Sequence, residues 1–307
     1  MSPLPLTELG ENGTLRTILT VFSILIAIFG TLSNSLSLSY FIKIIRSKRQ
    51  RRNTDAPTTK LFAALNVVDL LVSLTASSAV ISNIDFVTLY YVLTETLRAS
   101  VFITGLLTCL LAVNRTINLA FPLHVINWTA VKVIPVICSV VVVTCEIFHI
   151  AGNWSNFAAA RKITVAFRIP RIFGFLVQAS VFLTVVLTNI TSLCTLNFSQ
   201  SSHTETRNIK RRATITVSII SAIYCVCNIG FMVFLGIYAF SEPNSLTMAV
   251  PIEVRYISNY ILLSLNSACN PVIYLIRKED MRSYVKTLWG RVKKGLCERG
   301  RDDRIQL

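Results

Sequence analysis

The sequence predicts an all-α membrane protein: a bundle of seven transmembrane helices followed by a short amphipathic eighth helix. Of its 307 residues, 53% are hydrophobic and only 15% are charged. Seven stretches are long and apolar enough to cross a hydrocarbon core of about 30 Å, which takes about 20 residues. These predicted spans cover residues 17–44, 61–83, 89–119, 131–152, 172–197, 213–240 and 252–276.

The spans divide the chain into three parts. Residues 1–16 form a short polar amino-terminus, residues 17–276 a transmembrane domain, and residues 277–307 an amphipathic helix with a basic tail. The opening residues lack the basic flank and apolar stretch of a signal peptide. Asn12 and Asn153 each begin a glycosylation sequon, and both lie on the side predicted to be outside.

The basic residues predict the orientation. The net charge is +15, and Lys and Arg crowd the connection at residues 43–60, the connection before the sixth span and the tail after Tyr274. The positive-inside rule therefore places the amino-terminus outside the cell and the carboxyl-terminus in the cytoplasm, as in a plasma-membrane protein. Because topology accounts for this charge, we expect membrane lipid rather than nucleic acid as its partner.

The spans differ in the charge that they carry. The first contains no charged residue between Arg16 and Lys43, and the fifth and sixth contain none. The third is the weakest by hydropathy because Glu95 and Arg98 lie in its outer turns. The second holds only Asp69, and the fourth holds Glu146 in its interior. An ionisable side chain at membrane depth is costly unless paired or hydrated, so Asp69 is a candidate functional residue.

The seventh span ends in a polar run. Asn266, Ser267, Asn270 and Tyr274 lie within nine residues, and Pro271 interrupts them. A proline inside a helix frees a backbone carbonyl, which in lipid must find a side chain, a water or a neighbouring helix. These polar side chains are therefore expected to face protein, either as amides that join helices or as parts of a site.

After Tyr274 the chain becomes basic and amphipathic. An apolar stripe with a 3.6-residue period predicts a helix lying on the inner leaflet. The stripe consists of Met281, Tyr284, Val285, Leu288 and Trp289. Cys297 is either a palmitoylation site or an ordinary tail thiol. The other seven cysteines lie within spans as small buried hydrophobes, so no disulfide is expected.

Four motifs in chain order resemble the rhodopsin-like family of G-protein-coupled receptors. They are Asn34, Asp69, Arg115 with Pro122, and Asn270-Pro271-x-x-Tyr274. The resemblance covers residues 20–290, and it is strongest to divergent invertebrate orphan receptors that are often grouped with neuropeptide receptors. It implies a cell-surface receptor that binds an extracellular ligand and activates a heterotrimeric G protein.

The resemblance also assigns residues to G-protein coupling and activation. These are Asn114, Arg115, Pro122, Tyr224, Gly230, Asn270, Pro271 and Tyr274. The chain departs from the family where Asn114 replaces the acid before the inner arginine, where Lys210 replaces a second acid, and where Gly230 replaces a proline. Arg115 is therefore expected to lack its acidic restraint, unless Asn114 or packing holds it instead.

Two binding sites follow from the same resemblance. A sodium ion, the one cofactor expected, would be bound by Asp69, Ser100, Thr104, Asn266, Ser267 and Asn270; the alternative is a protonated Asp69 bonded to Asn34 or Asn270. The ligand pocket would be lined by Leu97, Arg98, Val101, Phe231, Leu235, Tyr256 and Tyr260. Arg98 and the basic residues of the predicted second outer loop (residues 161–171) favour a ligand of acidic character, either a peptide or a small molecule.

Other classes of membrane protein are less well supported. The alternative is a multi-pass transporter, which would normally show two related halves with interrupted helices. An intramembrane enzyme would need a nucleophile or metal constellation, yet His124, His149 and His203 lie on different segments. No enzymatic activity is expected. Leu97 occupies the position of an amine-binding carboxylate, and the last span has no lysine for retinal.

The basic inner connections generate a prediction about topology. A tag fused to the amino-terminus should be labelled by antibody on intact cells, and a tag after Leu307 only once the cells are permeabilised. Labelling of the carboxyl-terminal tag on intact cells would contradict the receptor orientation.

Overall fold

The computed structural model describes residues 13–48, 56–82, 87–120, 168–198, 204–240 and 257–302, and every residue in these ranges except Lys278 is helical. The predicted fourth span, Asn12, Pro122, Asn153 and Tyr256 lie outside them, as does the side chain of Cys297. The helices are α1 (Gly13–Lys48), α2 (Ala56–Ser82), α3 (Val87–Ala120), α4 (Arg168–Phe198), α5 (Thr204–Phe240), α6 (Leu263–Arg277) and α7 (Glu279–Asp302).

Five of these helices are long and apolar enough to cross a membrane. Their apolar segments are Thr17–Ser47, Thr58–Ala76, Thr96–Ile117, Ile172–Leu196 and Arg211–Ile237. They correspond to the first, second, third, fifth and sixth predicted spans. The helical, membrane-like character predicted from composition is thus confirmed, whereas the count of seven spans and an eighth helix stays a prediction.

The seventh predicted span is not uniform. A short π-helix, Ile257–Leu262, leads directly into α6, which contains Pro271 and ends at Arg277. The change of helix type within an apolar run leaves no signal in hydropathy, and the sequence did not predict it.

The connection before α5 is shorter than the sequence indicates. The polar run LNFSQSSHTETRNIK (residues 196–210) is typical of a loop, but α4 continues to Phe198 and α5 begins at Thr204. Hydropathy reports which residues suit lipid, so it cannot show how far a helix extends beyond the bilayer.

The helices pack in a ring that α6 closes. Along the chain, α1 packs on α2, α2 on α3, α3 on both α4 and α5, and α4 on α5. The last helix of the ring, α6, then contacts α1, α2 and α5. Phe175, near the start of α4, contacts Phe240 at the end of α5, with ring centroids 5.6 Å apart, so these two helices are antiparallel.

Two apolar clusters fill the interior. They are called outer and inner after the predicted orientation of the chain. The outer cluster comprises Ile26, Val72, Ala76, Leu97, Val101, Phe231, Tyr260, Ile261, Leu263 and Ala268. The inner cluster comprises Tyr40, Phe41, Phe62, Leu65, Leu107, Leu111, Ala112, Val217, Ile220, Ile273, Tyr274 and Met281. A polar layer lies between them along α1, α2, α3 and α6, and consists of the buried side chains Asn34, Asp69, Thr104, Ser267 and Asn270.

Candidate functional site

The polar layer begins with a backbone carbonyl that its own helix does not satisfy. Pro271 has no N–H, so the carbonyl of Ser267, four residues earlier, loses its helical partner. The side chain of Asn34 on α1 supplies one: its Nδ2 donates to the Ser267 carbonyl at 3.1 Å and to the Gly30 carbonyl at 2.9 Å. Asn34 is completely buried. The amide of α1 therefore replaces the hydrogen bond that α6 lacks.

Asp69 joins three helices in the same layer. Asn270 Nδ2 on α6 donates to Asp69 Oδ2 at 2.7 Å, and Thr104 Oγ1 on α3 donates to Asp69 Oδ1 at 3.4 Å. Asp69 is completely buried and Asn270 almost so. Both donors are neutral groups. Of the two partners expected for a carboxyl without an ion, Asn270 is present, whereas Asn34 bonds to backbone carbonyls instead.

The other predicted sodium ligands are only partly assembled. Asn266 Oδ1 and Asn270 Oδ1 on α6 are buried and have no hydrogen-bond partner in the described part of the chain. The buried Ser267 hydroxyl lies beside Asp69. Ser100 is also buried, but its hydroxyl donates to the Thr96 carbonyl of its own helix at 2.8 Å. A carboxylate surrounded by amide and hydroxyl oxygens is the donor set that a hard cation prefers, so the residues fit sodium.

At the inner end of α3, three consecutive side chains contact three different helices. Asn114 Nδ2 donates to Thr58 Oγ1 of α2 at 3.4 Å. Arg115 Nε donates to Thr214 Oγ1 of α5 at 2.9 Å. Thr116 Oγ1 lies 2.7 Å from Ser192 Oγ of α4. Because successive helical residues are about 100° apart, such a triplet reaches partners on several sides. Arg115 is thus bonded to a hydroxyl on α5.

Tyr274 lies in an aromatic cluster under a lysine. Its completely buried ring contacts Phe41 at 5.4 Å and Phe62 at 5.0 Å between centroids. Lys278, the residue between α6 and α7, places its Nζ 4.8 Å from the Phe41 centroid and 4.4 Å from that of Phe62. A cation over aromatic faces stabilises their arrangement by about 0.5–2 kcal/mol. Sequence reasoning missed Lys278; a lysine four residues after Tyr274 was the available signal.

The remaining predicted activation residues lie on α5. The Tyr224 ring is completely buried against α3, where a Cβ added at Gly105 would lie 2.5 Å from the Tyr224 hydroxyl oxygen. The absence of a side chain at Gly105 therefore makes room for this tyrosine. Gly230 is half-buried, and α5 passes through it as a continuous helix.

The predicted pocket residues come together in the outer cluster. Leu97, Val101, Phe231 and Tyr260 belong to it, and Leu235 packs against it. Arg98, on the adjacent turn of α3, is half-buried. The sequence missed Gln178 on α4, which is 3% exposed. An amide within a span free of charged residues was a signal that could have found it.

The described helices hold no group of three His, Cys, Asp or Glu side chains placed to bind a metal ion. The five cysteines whose side chains the structure describes carry free thiols. No model of a known protein family matches this sequence, and no curated protein matches it either. The function must therefore be inferred from the residues and their geometry.

The hydrogen bond from Asn34 to the Ser267 carbonyl generates a prediction about stability. Asn34→Leu should leave the Ser267 carbonyl unpaired and lower the free energy of unfolding by about 1–3 kcal/mol. Pro271→Ala restores an N–H in α6 that can donate to that carbonyl. In the Pro271→Ala background, Asn34→Leu should therefore cost about 1 kcal/mol less. Thermal unfolding of the four proteins in nanodiscs measures this coupling, and strictly additive effects would contradict it.

Proposed function

We propose that this protein is a cell-surface receptor of the rhodopsin-like type, which binds an extracellular ligand and activates a heterotrimeric G protein. The observation that carries the proposal is the meeting of three separated sequence motifs in one polar layer. Asn34 bonds the carbonyl freed by Pro271, and Asp69 bonds Asn270. Motifs that are far apart in the sequence are thus hydrogen-bonded partners, which supports the resemblance.

Arg115 is the residue that would contact the G protein. In the described conformation its guanidinium is bonded to Thr214, which is completely buried on α5. A hydrogen bond with one charged partner contributes about 1.5–3 kcal/mol. Breaking it would loosen the contact between α3 and the inner end of α5, which is where an inserted G-protein segment would bind. Asn114 and Thr116 keep their own partners on α2 and α4 and hold α3 in place.

The inner surface of the proposed receptor also includes α7. Its apolar stripe begins inside the bundle, where Met281 is buried, and continues outward to Leu288 and Trp289, which is 69% exposed. A helix with a buried start and an exposed apolar stripe suits the headgroup region of the inner leaflet. Lys278, seated over the aromatic cluster, fixes the point at which the chain turns from α6 into this helix.

The ligand would bind at the outer cluster. Its apolar and aromatic side chains offer contact area, and Arg98 with the basic residues of the second outer loop would attract a peptide or small molecule of acidic character. The loop itself lies outside the described residues. A carboxylate on the ligand would gain most from Arg98, because a guanidinium binds carboxylates through two parallel hydrogen bonds.

A nucleotide-exchange assay tests the receptor proposal. The purified chain in nanodiscs should accelerate nucleotide exchange on at least one member of a panel of G proteins, and Arg115→Ala should abolish this. Thr214→Val removes the α5 acceptor of Arg115 while keeping the side-chain shape. If this bond restrains activation, constitutive exchange should rise by up to about tenfold.

Thr216→Val is the matched control. Thr216 is also buried on α5, but its hydroxyl donates to the Arg212 carbonyl of its own helix at 2.8 Å. Its substitution should leave exchange unchanged. Equal exchange in the Thr214→Val and unsubstituted proteins would show that the Arg115–Thr214 bond does not restrain activation.

The sodium proposal has its own test. Sodium chloride should raise the melting temperature by about 2 °C or more relative to choline chloride at equal concentration, because ligand binding stabilises the folded state. Asp69→Asn should abolish this increment. Thr75→Val should retain it, since the Thr75 hydroxyl donates only within α2, at 2.7 Å to the Leu71 carbonyl.

A buried carboxyl with cation-binding chemistry also favours the transporter alternative. A transporter would carry radioactive sodium into proteoliposomes in an Asp69-dependent manner, whereas a receptor binds the ion without net flux. Flux without nucleotide exchange on any G protein would replace the receptor proposal with the transporter.

A further inference from the structure

Two buried amides lie on α4 and α5, the helices that do not contribute to the polar layer, and have unsatisfied hydrogen-bonding atoms. Gln178 on α4 is 3% exposed and Asn228 on α5 is 1% exposed. Gln178 Nε2 has no acceptor in the described part of the structure, and Asn228 Oδ1 has no donor. The other atom of the Asn228 amide, Nδ2, donates to the Tyr224 carbonyl at 2.8 Å, which fixes the side chain. A buried unpaired polar group costs about 1–3 kcal/mol, so both atoms need a partner.

The two amides lie at one level of the bundle. Below them α3, α4 and α5 meet closely: a Cβ at Gly105 would lie 2.5 Å from the Tyr224 hydroxyl oxygen and 3.4 Å from Val181 Cγ1. Gln178 precedes Val181 by three residues and Asn228 follows Tyr224 by four, spacings that return to the same helix face. Because α4 and α5 are antiparallel, both steps lead in the same direction along the bundle.

That direction is toward the outer cluster. Val101 on α3 lies one turn beyond Gly105 in the same direction, and Phe231 lies three residues beyond Asn228; both belong to the outer cluster. The amides therefore lie at the inner boundary of the proposed ligand pocket. The close contact of Gly105, Val181 and Tyr224 leaves little space beneath them, so a ligand would meet the amides with its end.

The residues around Gln178 and Asn228 determine which chemical group the end of the ligand can carry. α4 carries no charged residue from Ile172 to Leu196, and α5 carries none from Ala213 to Ile237. Neither of these two helices therefore supplies a counter-ion for a carboxylate or an ammonium at this depth, where burying an unpaired charge is strongly unfavourable. A neutral group is required that accepts a hydrogen bond from Gln178 Nε2 and donates one to Asn228 Oδ1. A carboxamide offers the acceptor and the donor on two separate atoms, which suits partners on two helices.

We propose that Gln178 and Asn228 form a polar subsite that binds the terminal primary carboxamide of the receptor's ligand. The ligand carbonyl accepts from Gln178 Nε2, and the ligand NH₂ donates to Asn228 Oδ1. This inference rests on the proposed receptor function and deepens it, because it names the chemistry of the ligand's buried end. The acidic group attracted by Arg98 would belong to the opposite, outer end of the same molecule.

Affinity selection with a defined library tests the subsite. The full-length chain in nanodiscs is incubated with pooled short peptides and small aryl compounds, each present as a primary carboxamide, a free acid and an alcohol. Retained compounds are identified by mass spectrometry. Carboxamides should be retained about tenfold or more over their matched acids and alcohols, as expected when a site built to hydrogen-bond loses a partner. The peptide and aryl arms show which kind of molecule supplies the carboxamide.

Substitutions of Gln178 and Asn228 test whether these two side chains bind the retained carboxamides. Gln178→Leu and Asn228→Leu should each lower carboxamide retention about tenfold or more. Thr184→Val on α4 is the control, because its hydroxyl donates to the Ser180 carbonyl of the same helix at 2.7 Å; retention should not change.

Melting without ligand gives an independent measurement. If Gln178 Nε2 is unpaired in the empty protein, Gln178→Leu should raise the melting temperature by about 2–4 °C. A lower melting temperature would mean that Gln178 has a structural partner and would overturn the proposal. So would equal retention of acids or alcohols, retention unaffected by Gln178→Leu, or no carboxamide retained at all. Constitutive nucleotide exchange needs no ligand, so it tests the receptor proposal separately from these outcomes.

Discussion

The hydrogen bond between Asn34 and the Ser267 carbonyl is the interaction on which the rest of the bundle depends. Pro271 creates the unpaired carbonyl, and inside a bilayer no bulk water can satisfy it. Asn34 brings α1 to α6, and Gly30, one turn earlier on α1, lies so close to α2 that an added Cβ would be 2.5 Å from Ser73 Oγ. With α2 fixed in this way, Asp69 is within reach of Asn270. A missing N–H thus determines how three helices fit together.

The alternation of apolar and polar layers has a physical reason. Between helices in lipid the hydrophobic effect contributes little, because the surrounding chains are as apolar as the side chains. The outer and inner clusters contribute dispersion contacts, but these contacts are non-directional. Many arrangements of the helices would bury the same apolar side chains. Directional bonds at Asn34, Asp69 and Asn270 select one arrangement. At the inner end, the triplet that begins at Asn114 repeats this principle with hydroxyl partners.

The sequence predicted the elements better than their contacts. Apolar runs located α1 to α5, because a helix that crosses lipid must be apolar. The free-energy cost of polar and ionisable side chains inside a membrane identified Asp69 and the polar run of α6. The proline at position 271 also predicted that a backbone carbonyl of this helix needs a hydrogen-bond partner. The sequence did not identify Asn34 as that partner, nor Thr214 as the acceptor for Arg115, because both depend on how neighbouring helices are rotated and tilted. Lys278 was missed for a similar reason: its site exists only where Phe41 and Phe62 meet.

The unequal lengths of the apolar segments have a consequence for the membrane itself. Thr17–Ser47 has 31 residues and Thr58–Ala76 has 19. At about 1.5 Å per residue these helices are about 46 Å and 28 Å long, against a hydrocarbon thickness of about 30 Å. The shorter segment is close to this thickness. The longer one, which includes Lys43 and Arg46 near its end, would extend into the headgroup region or tilt. Because Asn34 ties that long helix to α6, a change in bilayer thickness would act directly on the polar layer. Membrane composition would then influence the conformation of the bundle even when no ligand is bound.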